Sequence, residues 1–384
     1  MRGSLLQLIS YGQENVHLNL DPHISLFKNV FKKHNQFAID TVQFTVSKHA
    51  DFNKVVETII PKRGDYLNKI YLEVTLPYDE QSTDSFWTKS VGYNLIDELE
   101  LYVDNILIDR QTGQFMYIYN NINNNYEKNK ILDSLVGSTS LSSSEEQKIV
   151  IPFNFYFCNH YNGSFPIMAL RDKNMKLKIS FNKIEDCHQS GTVPTGKLTN
   201  LNLYCDYVLV DDIERKMLVQ EDHEIIFQTT QHLKKEVPSN LKKKIQLNFT
   251  LPTKEYIVVI KSSTNQGDKF TNFTDQNNLN LLKTLQIKID DNDIYSDTDK
   301  DSEYFNLLYP YLYHKGSVDN GINVIPFCLY PDELQVSGIL NLRVLEKTQN
   351  LFIKSNETGT MDIYSICYNI LTIKNGIVEL KYLY

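Results

Sequence analysis

Three carboxylates alternate in Asp297-x-Asp299-x-Asp301, a spacing that could gather oxygen ligands around a hard cation. An EF-hand calcium loop then needs Gly at its sixth position and Glu at its twelfth, where this chain has Ser302 and Leu308. The triplet therefore reads as a solvated acidic turn. The nine histidines include no HExxH pair. Cys158-x-His160 sets a thiol near an imidazole but lacks two further ligands for a tetrahedral zinc site. Neither a phosphate-cradling GxxxxGK(S/T) nor a nucleophile-elbow GxSxG occurs. Adjacent carboxylates at Asp211-Asp212 and Asp290-Asp291 are ordinary at strand ends, and nothing sets them across a cleft as glycoside hydrolysis requires. The expectation is no catalytic residue, no cofactor, no metal ligand and no enzymatic activity.

Two basic clusters offer charge rather than chemistry. Lys234, Lys235, Lys242, Lys243 and Lys244, interrupted by Glu236, read as a solvated, edge-protecting loop, with an anionic partner site as the alternative. Lys28, Lys32, Lys33 and His34 interleave with Phe27, Val30 and Phe31, whose helical spacing predicts docking of residues 25–34 onto the body of the protein. Lysine and arginine total 39 against 47 acidic residues, a net charge of −8. An acidic chain is poorly suited to coating phosphate backbones, so nucleic acid is not the expected partner. Cys158, Cys187, Cys205, Cys328 and Cys367 are odd in number and never form CxxC, which predicts buried thiols made in a reducing compartment. No apolar run reaches the roughly 18 residues of a membrane span, and Leu5 to Ile9 is too short for a signal-peptide core.

The elements that must carry these residues are strands. The 384 residues include 24 Tyr, 19 Phe and only one Trp, with 41% hydrophobic residues, and 37 Asn supply polar turns. Strict alternation runs through 71–77, 98–103, 176–181, 245–249 and 285–289, the signature of half-buried strands in antiparallel sheets. Only 25–34 and 213–219 read as helical. The polar stretch 120–148, with its Asn run and Ser-rich 138–144, reads as a long surface excursion, with a shorter acidic counterpart at 290–303.

The chain also resembles itself. Residues 69–77 (KIYLEVTLP) recur at 244–252 (KIQLNFTLP), 96–104 at 282–290, and Val150-Ile151-Pro152-Phe153 at Val324-Ile325-Pro326-Phe327. The order is kept, which predicts a duplicated unit of about 175 residues with its seam near 211–220.

Several motifs follow one another in order: Leu6-Gln7-Leu8-Ile9-Ser10-Tyr11-Gly12, then Asp21-Pro22-His23-Ile24-Ser25-Leu26-Phe27-Lys28, Phe31-Lys32-Lys33-His34-Asn35-Gln36-Phe37-Ala38, Gly64-Asp65 and Ile108-Asp109-Arg110. Together they resemble the major capsid proteins of nucleocytoplasmic large DNA viruses. The resemblance is strongest over Tyr304-Phe305-Asn306-Leu307, Gly321-Ile322-Asn323-Val324 and 327–338 (FCLYPDELQVSG), and continues to Tyr368-Asn369-Ile370-Leu371. It implies an all-β double jelly roll of two eight-stranded sandwiches in tandem: residues 1–24 an N-terminal arm, 25–212 the first roll, 213–384 the second. It further implies a homotrimer with a pseudo-hexagonal outline, which meets neighbouring capsomers and minor capsid proteins in an icosahedral virion shell assembled in the host cytoplasm. The segment around 25–34 would face inward, near an inner membrane. A minor capsid or scaffolding paralogue is the alternative within this class, and a jelly-roll carbohydrate-binding protein the alternative outside it. Trp87 as the only Trp weighs against sugar stacking.

Overall fold

The computed structural model describes residues 3–13, 20–47, 49–80, 84–137, 141–263, 268, 270–289, 292–294, 300–316, 318–319, 321–341 and 349–382. The chain forms two units, residues 1–36 and 37–384. Among its described residues the first holds one short helix, α1 (Gly3–Ile9), with turns and irregular chain over 20–36. The helix expected over 25–34 is absent, and Phe27 and Phe31 are 100% and 87% exposed. Ten residues are too few to hold a helix in water on propensity alone.

The second unit begins with the strands β1 (Phe37–Thr45), β2 (Val55–Ile60), β3 (Tyr66–Leu76), β4 (Phe86–Trp87), β5 (Ile96–Val103) and β6 (Ile106–Thr112). Two helices follow, α2 (Gly113–Asn123) and α3 (Tyr126–Val136), then β7 (Gln147–Pro152), β8 (Met175–Phe181), β9 (His188–Ser190) and β10 (Thr199–Val210). The helix α4 (Asp212–Gln220) leads to β11 (His223–Val237), β12 (Lys242–Leu247), β13 (Thr253–Ser262), β14 (Leu282–Ile289), β15 (Asn292–Asp293) and β16 (Lys300–Asp301). A π-helical turn at Tyr304–Leu308 runs into α5 (Tyr309–Tyr313), and β17 (Asn323–Pro326), β18 (Gln349–Ser355), β19 (Gly359–Lys374) and β20 (Ile377–Leu380) finish the chain.

Pairing is antiparallel throughout the named strands, and the strand order is the same twice. The sheets β1-β10-β3-β7 and β2-β8-β5-β6 form one sandwich; β11-β19-β13-β17 and β12-β18-β14-β15 form the other, with β20 added on β19 and β16 on β14. In each, the first strand pairs with a strand from the far end of the roll, β1 with β10 and β11 with β19, the wrapped connectivity of a jelly roll. The fold is a double jelly roll.

This strand order corrects one of the three repeat matches. β7 and β17 occupy equivalent places, as do β5 and β14, so the second and third matches hold. Residues 69–77, however, lie on β3, whose counterpart is β13, whereas 244–247 belong to β12, the counterpart of β2. Tyr71 pairs with Pro152 and Glu255 with Pro326, so Tyr71 corresponds to Glu255. β13 escaped recognition because it is buried on both faces and its sequence does not alternate.

That double burial explains how the rolls join. Tyr256, Val258 and Ile260 of β13, with Met361 and Ile363 of β19, face the second roll's own core. Ile257, Val259, Tyr364 and Ile366 point the other way, into a core shared with Phe115, Met116 and Ile118 of α2. The polar stretch 120–148 is accordingly not a long loop. Its Asn run ends α2, Asn125 caps α3 by accepting from Lys128 N at 3.0 Å, and Ser143 tucks against Ser85. Residues 138–140 and half of the acidic counterpart at 290–303, including Asp290, Asp291, Asp297 and Asp299, lie outside the described residues.

Candidate functional site

In a protein built from stacked sheets the working parts are contact surfaces, and the innermost is the seam between the rolls. α2 is the wedge that fills it. Thr112 caps the helix, its hydroxyl accepting from Phe115 N at 3.1 Å. Position 113 must be glycine, because a Cβ there would stand 1.9 Å from the Tyr93 carbonyl oxygen and 2.4 Å from that of Ile96. Phe115 then packs against Tyr364 at 5.3 Å between ring centroids, and Tyr117 against Phe270 at 5.9 Å.

Polar bonds set the register of the wedge. Asp109 in the middle of β6 is 2% exposed and accepts from the Thr229 hydroxyl and the Thr230 amide of β11, each at 3.0 Å, and from Gln111 Nε2 at 2.6 Å. Burial lifts its carboxyl to about 6 even though these donors pull the other way. Thr112 meets the Tyr364 hydroxyl at 3.2 Å, Gln114 Nε2 donates to Asp362 at 3.2 Å, and the Tyr117 hydroxyl donates to Asp319 at 2.6 Å. Burying Asp109, Thr112, Gln114 and Tyr117 is tolerable because each finds a partner across the seam, while Gln111 Nε2 bonds Asp109 and the Asn154 carbonyl oxygen within the first roll.

A second cluster anchors the loop after β17. His314 has a fully buried side chain, with Nδ1 2.7 Å from Asp332 Oδ1 and Nε2 3.1 Å from Glu255 Oε2, the latter out of line for a hydrogen bond. The Lys315 amide donates to the other Asp332 oxygen at 2.7 Å. Burial would push the imidazole down, but the two carboxylates outweigh it and raise His314 to about 9. The Pro331-Asp332-Glu333 motif is thereby pinned to β13.

The outer faces of the sheets complete the set. On the first roll, Glu100 is nearly buried between Lys178 Nζ and an Arg110 guanidinium nitrogen, both at 2.6 Å. Burial alone would raise its carboxyl; these two cations hold it below the ordinary value. On the second roll, Lys242, Lys243 and Lys244 lie on β12 and Lys234 and Lys235 on β11, so the expected basic loop is two strands. Cys187, Cys205, Cys328 and Cys367 are buried free thiols; Cys158 is partly buried and is pushed up to about 12 by desolvation. His160 is exposed, and among the described residues no group of three His, Cys, Asp or Glu could hold a metal ion. The sequence reading missed Asp109, Thr229, His314 and Glu255 as working residues; only Asp109 and Asp332 lay in a motif that pointed to them.

Two equivalent jelly rolls locked by a buried helix define a protein of the double jelly-roll class. Residues 25–211 match the family model for the major capsid protein N-terminus and residues 214–378 that for the large eukaryotic DNA virus major capsid protein. The chain belongs to this family of capsid proteins, and its role is structural. It is 27% identical to the major capsid protein of Pyramimonas orientalis virus and 24% to that of Phaeocystis pouchetii virus, with 100% of each chain covered in both cases. The PBCV-1 virus capsid structure shares its fold with a TM-score of 0.84 at 20% identity, over 94% of this chain and 100% of that one. The Faustovirus major capsid protein does so with a TM-score of 0.75 at 10% identity, over 97% and 96%.

Proposed function

We propose that three copies of this chain form a capsomer with a pseudo-hexagonal outline, which tiles an icosahedral virion shell by meeting neighbouring capsomers and minor capsid proteins. The observation that carries this reading is the repeated strand order: two equivalent sandwiches per chain, taken three times, present six similar flanks. In this reading residues 25–212 and 213–384 are the two rolls and 1–24 an arm. Leu5, Leu8, Ile9, Phe27 and Phe31 are exposed apolar side chains, which supports placing the N-terminal segment on the inner side, near a membrane. Free buried thiols are consistent with assembly in the host cytoplasm. A scaffolding paralogue would leave the particle as it matures, so retention in purified mature virions supports the shell. Light scattering with negative-stain electron microscopy of the purified chain tests the capsomer. A stable trimer with a hexagonal outline is expected, and a monomer at all concentrations overturns the reading.

A further inference from the structure

The repeated strand order allows one roll to be compared with the other, position by position. On the first roll's outer sheet the solvent-facing charges balance: Glu57, Glu98 and Glu100 stand among Lys176, Lys178 and Arg110 and pair with them. On the second, the register sets Lys242, Lys244 and Gln246 of β12 beside Lys354, Phe352 and Asn350 of β18, and these beside Thr284, Gln286 and Lys288 of β14. Where the first roll has Glu98 and Glu100, the second has Thr284 and Gln286; where the first has Glu57, the second has Lys244. Four lysines now face two carboxylates, Asp293 and Asp301, both on short edge strands. Asp293 is engaged by Lys288 at 3.4 Å and by Gln286 Nε2 at 2.6 Å.

This arrangement has a cost in the free chain. Lys242 and Lys354 stand directly opposite each other, and like charges in that position destabilise a sheet. The ring of Phe352 lies among the ammonium groups of Lys242, Lys244 and Lys288, at 5.6, 5.8 and 6.0 Å from its centroid. A face with excess positive charge around an aromatic centre is electrostatically complementary to an acidic surface.

The same chain supplies such a surface. Segment 211–224 carries Asp211, Asp212, Glu214, Glu221, Asp222 and Glu224 against Arg215 and Lys216. Arg215 pairs with Asp65 at 2.8 Å and Asp212 at 3.2 Å, Asp211 caps α4, and Lys381 stands 3.4 Å from Glu224, so Glu221 and Asp222 are the carboxylates the proposal uses. Ile213 and Met217 on α4 are 74% and 53% exposed and could cover an aromatic ring.

We propose that the lysine face of β12-β18-β14 docks the acidic 211–224 segment of a second copy of the chain. The proposal rests on the shell-building reading. Every copy carries both halves, so the contact is heterologous and either closes into a ring or propagates as a lattice.

The test is self-association of the full chain by sedimentation and electron microscopy. Lys242→Glu with Lys354→Glu is expected to keep the thermal unfolding midpoint and to lose the oligomer or its lattice, weakening association by roughly tenfold or more. Adding Glu221→Lys and Asp222→Lys to that variant is expected to restore association. In the unmodified protein, raising NaCl from about 0.05 to about 0.5 M is expected to weaken it, which needs no variant to fold. Unchanged association in the reversed variant, failure of the double swap to restore it, or salt-insensitive association overturns the proposal. So does lysine-dependent binding of phosphatidylserine vesicles with self-association untouched. An unmodified chain that never associates overturns the shell-building reading instead.

Discussion

Asp109 accepts a hydrogen bond from the Thr229 hydroxyl at 3.0 Å, joining β6 of the first roll to β11 of the second. The same carboxylate oxygen takes the Thr230 amide. Asp109→Ala would leave the Thr230 amide buried without its acceptor, at a cost of about 1–3 kcal/mol, while the Thr229 hydroxyl could still donate to the Ile108 carbonyl oxygen at 3.1 Å. Denaturant unfolding followed by intrinsic fluorescence should show that loss; a change below about 0.5 kcal/mol, the range of an ordinary surface substitution, would mean the seam does not depend on this bond.

The pH dependence of the same group has a definite sign. Folding raises the Asp109 carboxyl from 3.8 to about 6, so the folded state holds this proton more tightly. The stability it contributes is fully present below pH 3.8 and is lost as pH rises through about 6. Asp109→Asn removes that slope. The difference in stability between the variant and the unmodified protein should therefore shift in the variant's favour between pH 4 and pH 6.5, as read from unfolding midpoints at each pH.

His314 titrates in a different window. Its folded value of about 9 lies above the ordinary 6.5, so its contribution is complete below pH 6.5 and disappears as pH rises through about 9. His314→Gln leaves Glu255 and Asp332 without their buried cation, at a cost of about 3–5 kcal/mol near pH 6. Above pH 9.5 the gap to the unmodified protein should shrink; an equal gap at both pH values would show that the ring acts by shape alone.

Gly113 is fixed by contact with rigid neighbours. Its Cβ position is occupied by backbone oxygens of Tyr93 and Ile96, which cannot rotate away as a side chain could. Gly113→Ala should therefore cost about 3 kcal/mol or more by displacing the start of α2, despite the better helix propensity of alanine. Thermal unfolding compared with Gly163→Ala, where an added Cβ meets nothing closer than 3.5 Å, separates the clash from a general effect of losing a glycine.

Much of the fold was legible because half-buried strands alternate. The runs at 98–103 and 176–181 became β5 and β8 with the expected faces inward. Elements buried on both sides were not legible: β13 has no polar face, and its absence from the pattern sent the first repeat match to β12. α2 was missed for a related reason. Its sequence GQFMYIYNNIN is apolar around much of its circumference and then rich in Asn, so it presents no clean amphipathic stripe. The seam residues were hidden by distance, since Asp109 and Thr229 lie in different halves of the chain and no local spacing joins them. The lysine cluster was visible, but its meaning depends on which glutamates are missing opposite it, and that required both sheets to be in register.

Glu100 gives a prediction whose sign opposes that of Asp109. Both are nearly fully buried carboxylates on adjacent strands of the first roll, 1% and 2% exposed. Asp109 meets neutral donors and is raised, whereas Glu100 sits between Lys178 and Arg110 and is lowered. Desolvation pushes each upward, so the sign is decided by whether a cation is within reach. The contribution of Glu100 is therefore present above the ordinary carboxylate value of 4.5 and is lost as pH falls through its lowered one. Glu100→Gln removes two charge-assisted bonds and should cost about 1.5–3 kcal/mol at pH 7. Its deficit should narrow on acidification below pH 4.5, while the stability gained by Asp109→Asn over the unmodified protein is confined to higher pH. Unfolding midpoints of both single variants from pH 3 to pH 7 distinguish the two, and parallel curves would show that the cations beside Glu100 do not set its titration.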